Sequence, residues 1–99
     1  MSREVVWQPD ALDDFDAVLG FLTDGSPAAA AAFERKVSDT LIRLAHYSIG
    51  RPGRVGQTFE KPLTGTCYTL VYGLSDTTVS VLRIIHQRRQ WPEDGWPQG

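Results

Sequence analysis

Residues 66–86, TCYTLVYGLSDTTVSVLRIIH, decide the fold. Tyr68, Leu70, Tyr72 and Leu74 alternate with Cys67, Thr69 and Val71, the period of two that a strand with one buried face requires. Ser75-Asp76-Thr77 breaks the run, and Thr78 to His86 then resume it. Strict alternation puts Ser80, Leu82, Ile84 and His86 on one face and Val79, Val81, Arg83 and Ile85 on the other. Two such runs joined by so short a connection predict an antiparallel hairpin. Arg83 is the anomaly within it. An arginine in a strand interior is costly to bury unpaired, so the reading places it on a face that no helix covers.

Upstream, Gln57 to Lys61 reads as a short polar edge strand ended by Pro62, and Gly50-Arg51-Pro52-Gly53 reads as a loop. A helix is predicted over Pro27 to Tyr47. Ser26 is its N-cap, Pro27 its first helical residue, and Phe33, Val37, Leu41 and Leu44 its buried stripe, with Thr40 alongside. Ala28 to Ala32 favour helix and allow close approach of a neighbour. A preceding helix starts at Pro9, with Asp10, Asp13 and Asp14 at its positive end. Its apolar stripe is Ala11, Leu12, Phe15, Val18, Leu19 and Leu22. Thr23 to Ser26 is short enough to make an αα-hairpin of the two helices, and Glu4 to Trp7 opens the chain as a strand. The order β-α-α-β-β-β predicts an α+β, two-layer fold: a helical hairpin on one face of a mainly antiparallel four-stranded sheet, the other face left open. Residues 1–99 are expected to form a single domain, with a loose tail over 93–99.

Composition removes whole classes of function. At 41% apolar and 22% charged residues the chain is ordinary globular material. Cys67 is the single cysteine, which excludes an internal disulfide framework and a thiolate metal cluster. No apolar run resembles a signal peptide or a membrane span, so the chain is expected in the cytosol, away from membranes. A formal net charge of -2 hides an asymmetry. Met1 to Thr40 carry eight acidic and three basic residues, whereas Leu41 to Pro92 carry seven basic and two acidic ones. The later half is suited to an anionic partner.

The chemistry-bearing residues narrow to that half. His46 and His86 do not make a metal-ligand spacing, and Gly50, Gly53 and Gly56 do not make a phosphate loop, so no metal or cofactor is expected. Cys67 has no base beside it, and Asp10, Asp13, Asp14 and Asp16 are explained as helix-start charge. Arg51 and Arg54 in the loop, Arg83 on the last strand, and His86, Arg88 and Arg89 at its exit remain. The guanidinium groups of the arginines match carboxylate or phosphate oxygens through bidentate bonds, supplied either by the acidic first half or by a partner. Trp91 either closes the core or stacks on a base.

Gly50-Arg51-Pro52-Gly53-Arg54, Tyr68-Thr69-Leu70-Val71-Tyr72 and Val81 through Pro92, with its His-x-x-Arg-Gln-Trp-Pro ending, resemble the ParE/RelE superfamily of toxins from type II toxin–antitoxin modules, on the ParE side. The resemblance spans nearly the whole chain and implies the same β-α-α-β-β-β fold. It implies a cytoplasmic bacterial protein that inhibits growth and is neutralised by a cognate antitoxin, whose C-terminal segment wraps the toxin. Operator DNA would be bound only through that antitoxin. ParE-like members inhibit DNA gyrase; RelE-like members cut messenger RNA on the ribosome without a metal.

The leading expectation is therefore a gyrase inhibitor that binds its target through Arg51, Arg54, Arg83, Arg88, Arg89 and Trp91. An antitoxin would bind along Leu12, Phe15 and Leu19 and along Gln57, Phe59 and Lys61, its acidic segment meeting the basic half. The alternative is a RelE-type endoribonuclease with Arg54, Arg83 and His86 as catalytic residues, where Arg54 and Arg83 stabilise the phosphate and His86 moves the proton. Strand alternation sets His86 and Arg83 on opposite faces, and nothing after Trp91 supplies the tyrosine of RelE-like members. Phe59 also stands where many ParE-like chains carry an arginine before the glutamate. A toxin-like fold without toxicity is the third expectation.

Overall fold

A computed structural model describes residues 3–46 and 58–87 and the backbone of 51–52. In chain order the elements are β1 (Glu4–Trp7), α1 (Pro9–Gly25), α2 (Pro27–His46), β2 (Arg51–Pro52), β3 (Phe59–Pro62), β4 (Tyr68–Leu74) and β5 (Thr78–His86). The strands lie in the order β1-β5-β4-β3-β2, antiparallel except that β1 runs parallel to β5. The four longer strands and two helices form the two-layer α+β arrangement that the alternation predicts. The two-residue β2 corrects the sequence expectation of a loop at Arg51–Pro52. Its register, Arg51 opposite Glu60 and Pro52 opposite Phe59, takes up the outer side of β3 there, so Phe59–Glu60 is not the sheet's edge.

The helices form where local chemistry favours them. Pro9 sits in the first turn of α1, where its missing N–H costs nothing. The Ser26 hydroxyl accepts a hydrogen bond from the Ala29 amide at 3.2 Å and caps α2. Phe33, Val37, Leu41 and Leu44 of α2 are buried as one stripe with Ala30, Thr40 and Ala45. They meet Leu70, Tyr72, Val79, Val81 and Ile84 of the sheet, and Val5, Trp7, Phe15, Val18, Leu19 and Leu22 pack around this core. Leu12 departs from the predicted stripe of α1 and is 47% exposed.

Two turns set the registers. Between β3 and β4 the Thr66 amide donates to the Leu63 carbonyl, and Gly65 takes φ +88°, a conformation that favours glycine over any L side chain. Between β4 and β5 the Ser75 hydroxyl accepts from the amides of Thr77 and Thr78, at 3.3 and 3.0 Å, which closes the predicted hairpin turn. Arg3 then ties this turn to the helices. Its Nε donates to the Ser75 carbonyl at 2.8 Å, and its amide donates to the Ala45 carbonyl at the end of α2, also at 2.8 Å.

Simple alternation fails in β5. Val71 lies opposite Arg83 while Tyr72 lies opposite Val81, so Leu82 is an extra residue, a β-bulge. A one-residue slip moves every later side chain to the other face. Ile84 joins Val79 and Val81 under the helices, and Leu82 and Ile85 pack with Val71 on the opposite face. That face is not open as expected: Val71 is fully buried, and Glu60, Thr69 and Ile85 nearly so.

Candidate functional site

The bulge governs the part of the candidate surface around Arg83. β1 pairs with β5 only as far as Trp7 opposite Val81, and beyond that point α1 crosses the strand. There Asp14, one third of the way along α1, turns its carboxylate onto β5. Its Oδ2 accepts from Arg83 Nε at 2.7 Å and from the Ile84 amide at 3.0 Å, and its Oδ1 accepts from Arg83 Nη2 at 3.2 Å. Both side chains are about one-fifth exposed, at 20% for Arg83 and 18% for Asp14. The Asp14 hydrogen bond holds the Arg83 guanidinium further toward its charged form than usual; partial burial opposes this, and the Asp14 and Asp10 charges add to it.

Arg83 is thus not left to solvent on an uncovered face. Its backbone register matches Val71, but its side chain is drawn to the helical layer and filled by a carboxylate of the acidic half. Asp14, read from sequence as helix-start charge, is the residue missed. One signal for it was present: an arginine inside an apolar strand requires a counter-charge, and the first half is where the acidic residues are concentrated.

His86 takes a different environment. It lies opposite Tyr68 in the β4–β5 register, and the two rings meet edge to face at 5.2 Å. This contact ends an aromatic chain that crosses the domain. Trp7 meets Phe15 at 5.4 Å, Phe15 stacks on Phe33 at 5.8 Å, and Phe33 meets Tyr68 at 5.5 Å. His86 and Arg83 are not brought to one point: the first joins the rings and the second joins Asp14. Gln87 closes the strand's exit, its amide donating to the Cys67 carbonyl at 2.8 Å and its side-chain amide to the Tyr68 carbonyl at 3.2 Å.

The remaining predicted residues are distributed. Phe59 stacks on Tyr72 at 5.6 Å, Lys61 is half-buried on β3, and Phe15 and Leu19 are half-buried against the core, with Leu12 exposed beside them. Arg51 is described only as the backbone of β2. Arg54, Gln57, Arg88, Arg89 and Trp91 lie outside the described residues, as do Tyr47 and the tail 93–99. Among the described residues, apolar grooves flank the helical hairpin. One, of about 310 Å³, runs between β1 and α2 along Val5, Leu41, Ile42 and Ala45; another, of about 470 Å³, lies at the hairpin tip beside Phe21, Leu22 and Ala29. Phe21 itself is 71% exposed. Among the described residues no cluster of His, Cys, Asp or Glu is arranged to hold a metal ion, and no helix is long and apolar enough to cross a membrane.

Comparison with known proteins agrees with this architecture. Residues 5–91 match the family model of the ParE toxin of type II toxin-antitoxin system, parDE. The candidate toxin Y4kP of Sinorhizobium fredii (strain NBRC 101917 / NGR234) is 33% identical over 95 residues, covering 94% of this chain and 98% of that protein. Among solved structures, a chain of the chromosomal ParDE TA system from P. aeruginosa superposes with a TM-score of 0.75 at 18% identity, covering 86% of this chain and 96% of its own. A chain of the YoeB dimer from Staphylococcus aureus superposes with a TM-score of 0.57 at 13% identity, covering 84% and 94%. At these identities the structural likeness speaks to the fold alone.

Proposed function

The chain belongs to the ParE toxin family of type II toxin–antitoxin systems, and from that premise we propose that it stops growth by binding DNA gyrase, with no chemical cycle of its own. The toxin role, with a cognate antitoxin as partner, follows from the family. The choice of target rests on one observation: the Arg83 guanidinium is already filled by Asp14. A metal-independent ribonuclease needs a cation held ready for the scissile phosphate and a proton carrier beside it. Arg83 is committed within the fold, and His86 packs on Tyr68. Both are better suited to shaping a docking surface than to running a reaction.

The docking residues in this reading are Arg51, Arg54, Arg83, Arg88, Arg89 and Trp91, with Arg83 acting through the shape of β5. The antitoxin segment is proposed to lie along the helical hairpin. There Leu12 is exposed and Phe15 and Leu19 form a half-buried floor. The second strip, Gln57, Phe59 and Lys61, remains a proposed contact through side chains, since β2 takes the outer backbone of Phe59–Glu60.

The test pairs two assays of the purified protein: supercoiling of relaxed plasmid by gyrase, and integrity of a message in a ribosome-containing translation reaction. Loss of supercoiling with an intact message supports the proposal. Ribosome-dependent cutting with supercoiling unaffected overturns it in favour of the nuclease, and no effect in either assay points to a fold without toxicity.

A further inference from the structure

Resting on the reading of this chain as a toxin that works through the end of its last strand, we infer that Asp14 is a positioning residue: it pins the Leu82 bulge and so decides which face of the sheet His86 presents. The bulge is the one place where β4 and β5 lose register, and Leu82 faces no partner across the ladder. On the other side of β5 the strand has just lost β1, whose pairing ends at Val81. With no strand beside it on the β1 side, the bulge has only the β4 pairs from Val71–Arg83 to Tyr68–His86 to hold its register, and a slip of one residue there would send Ile84 and His86 to the opposite face.

Asp14 supplies what a neighbouring strand would. It accepts the Ile84 amide as a backbone carbonyl does, and it grips the side chain of the preceding residue with both oxygens. Three charge-assisted bonds on two consecutive residues define the strand's rotation there. Downstream, that rotation puts Ile84 under the helices and His86 against Tyr68. Among the described residues, the predicted target contact that Asp14 touches is Arg83, and its effect on His86 runs through the strand.

The experiment uses the full chain and two substitutions, Asp14→Ala and Asp14→Asn, read by NMR and by growth arrest on induction. Asp14→Ala should speed exchange of the Ile84 amide about tenfold or more relative to the Leu70 amide. It should also remove the Tyr68 ring-current shift from the His86 ring protons and weaken growth arrest beyond the loss of folded protein. Asp14→Asn keeps an acceptor for the Ile84 amide and should keep His86 on Tyr68. Unmoved His86 signals in Asp14→Ala, or growth arrest that follows only the folded fraction, would overturn the inference. Growth arrest does not depend on which target is hit, so failure of the gyrase assay leaves this test standing. If the parent causes no arrest, the His86 signals and the Ile84 amide alone decide.

Discussion

Asp14 and Arg83 stand 69 positions apart, and the carboxylate of the first closes on the guanidinium of the second at 2.7 and 3.2 Å. The bond joins the acidic half of the chain to the basic half, so one of the seven cations between Leu41 and Pro92 is neutralised inside the fold. The other six are Arg43 on α2, Arg51 on β2, Lys61 on β3, and Arg54, Arg88 and Arg89, which lie outside the described residues.

The pair should show as a coupling energy. In a cycle of Asp14→Ala, Arg83→Ala and the double variant, urea denaturation should give an interaction of about 1–3 kcal/mol, since both groups are mostly withdrawn from water. Additive single effects would show the bond to be only a surface pair.

Arg3 should matter more than its place at the chain start suggests. It links the Ser75 carbonyl of the β4–β5 turn to the carbonyls of Leu44 and Ala45 at the end of α2. Arg3→Ala should cost about 1–2 kcal/mol in urea denaturation. Arg3→Lys should recover only part of that, because a single ammonium cannot span both ends as the guanidinium fork does.

Two phenylalanines should behave oppositely. Phe33 is fully buried between Phe15 and Tyr68, and Phe33→Ala should cost about 3–5 kcal/mol. That is a large share of the roughly 5–15 kcal/mol that holds a domain folded. Phe21, mostly exposed at the hairpin tip, should change stability by less than about 0.5 kcal/mol when replaced by alanine. Thermal melts of the two variants check both.

Stability should fall at high pH through Tyr72. Burial raises its pKa above the ordinary value of 10.0, and the Arg3 charge opposes the shift. A raised folded-state value means the contribution is complete below the unfolded pKa and is lost as pH rises through the folded one. Urea midpoints should therefore decline above about pH 10, and Tyr72→Phe should flatten that decline.

Most of the fold was legible because its signals are local. Tyr68 to Leu74 alternate without interruption, Ser75 stops them, and Ser26-Pro27 marks a helix start in two residues. The faces of β5 were not legible, because a bulge leaves no mark in a run of β-branched and aliphatic residues. Thr78 to His86 read the same with or without a slip at Leu82. Arg51–Pro52 was missed for a related reason, since a two-residue strand flanked by glycines carries no period at all. The site was harder still. Arg83 was visible as an anomaly, but its partner depends on where α1 crosses β5, a long-range relationship that four acidic residues at a helix start do not resolve. His86 likewise gave no sign in sequence of ending a line of rings from Trp7.

The central claim, that this ParE-family chain disables its target by binding, is tested most directly by titrating the purified protein into a gyrase supercoiling reaction. The account predicts a dose-dependent loss of supercoiling, relieved by addition of the cognate antitoxin, while a message translated in parallel stays whole. Undiminished supercoiling together with ribosome-dependent cutting of that message would contradict it.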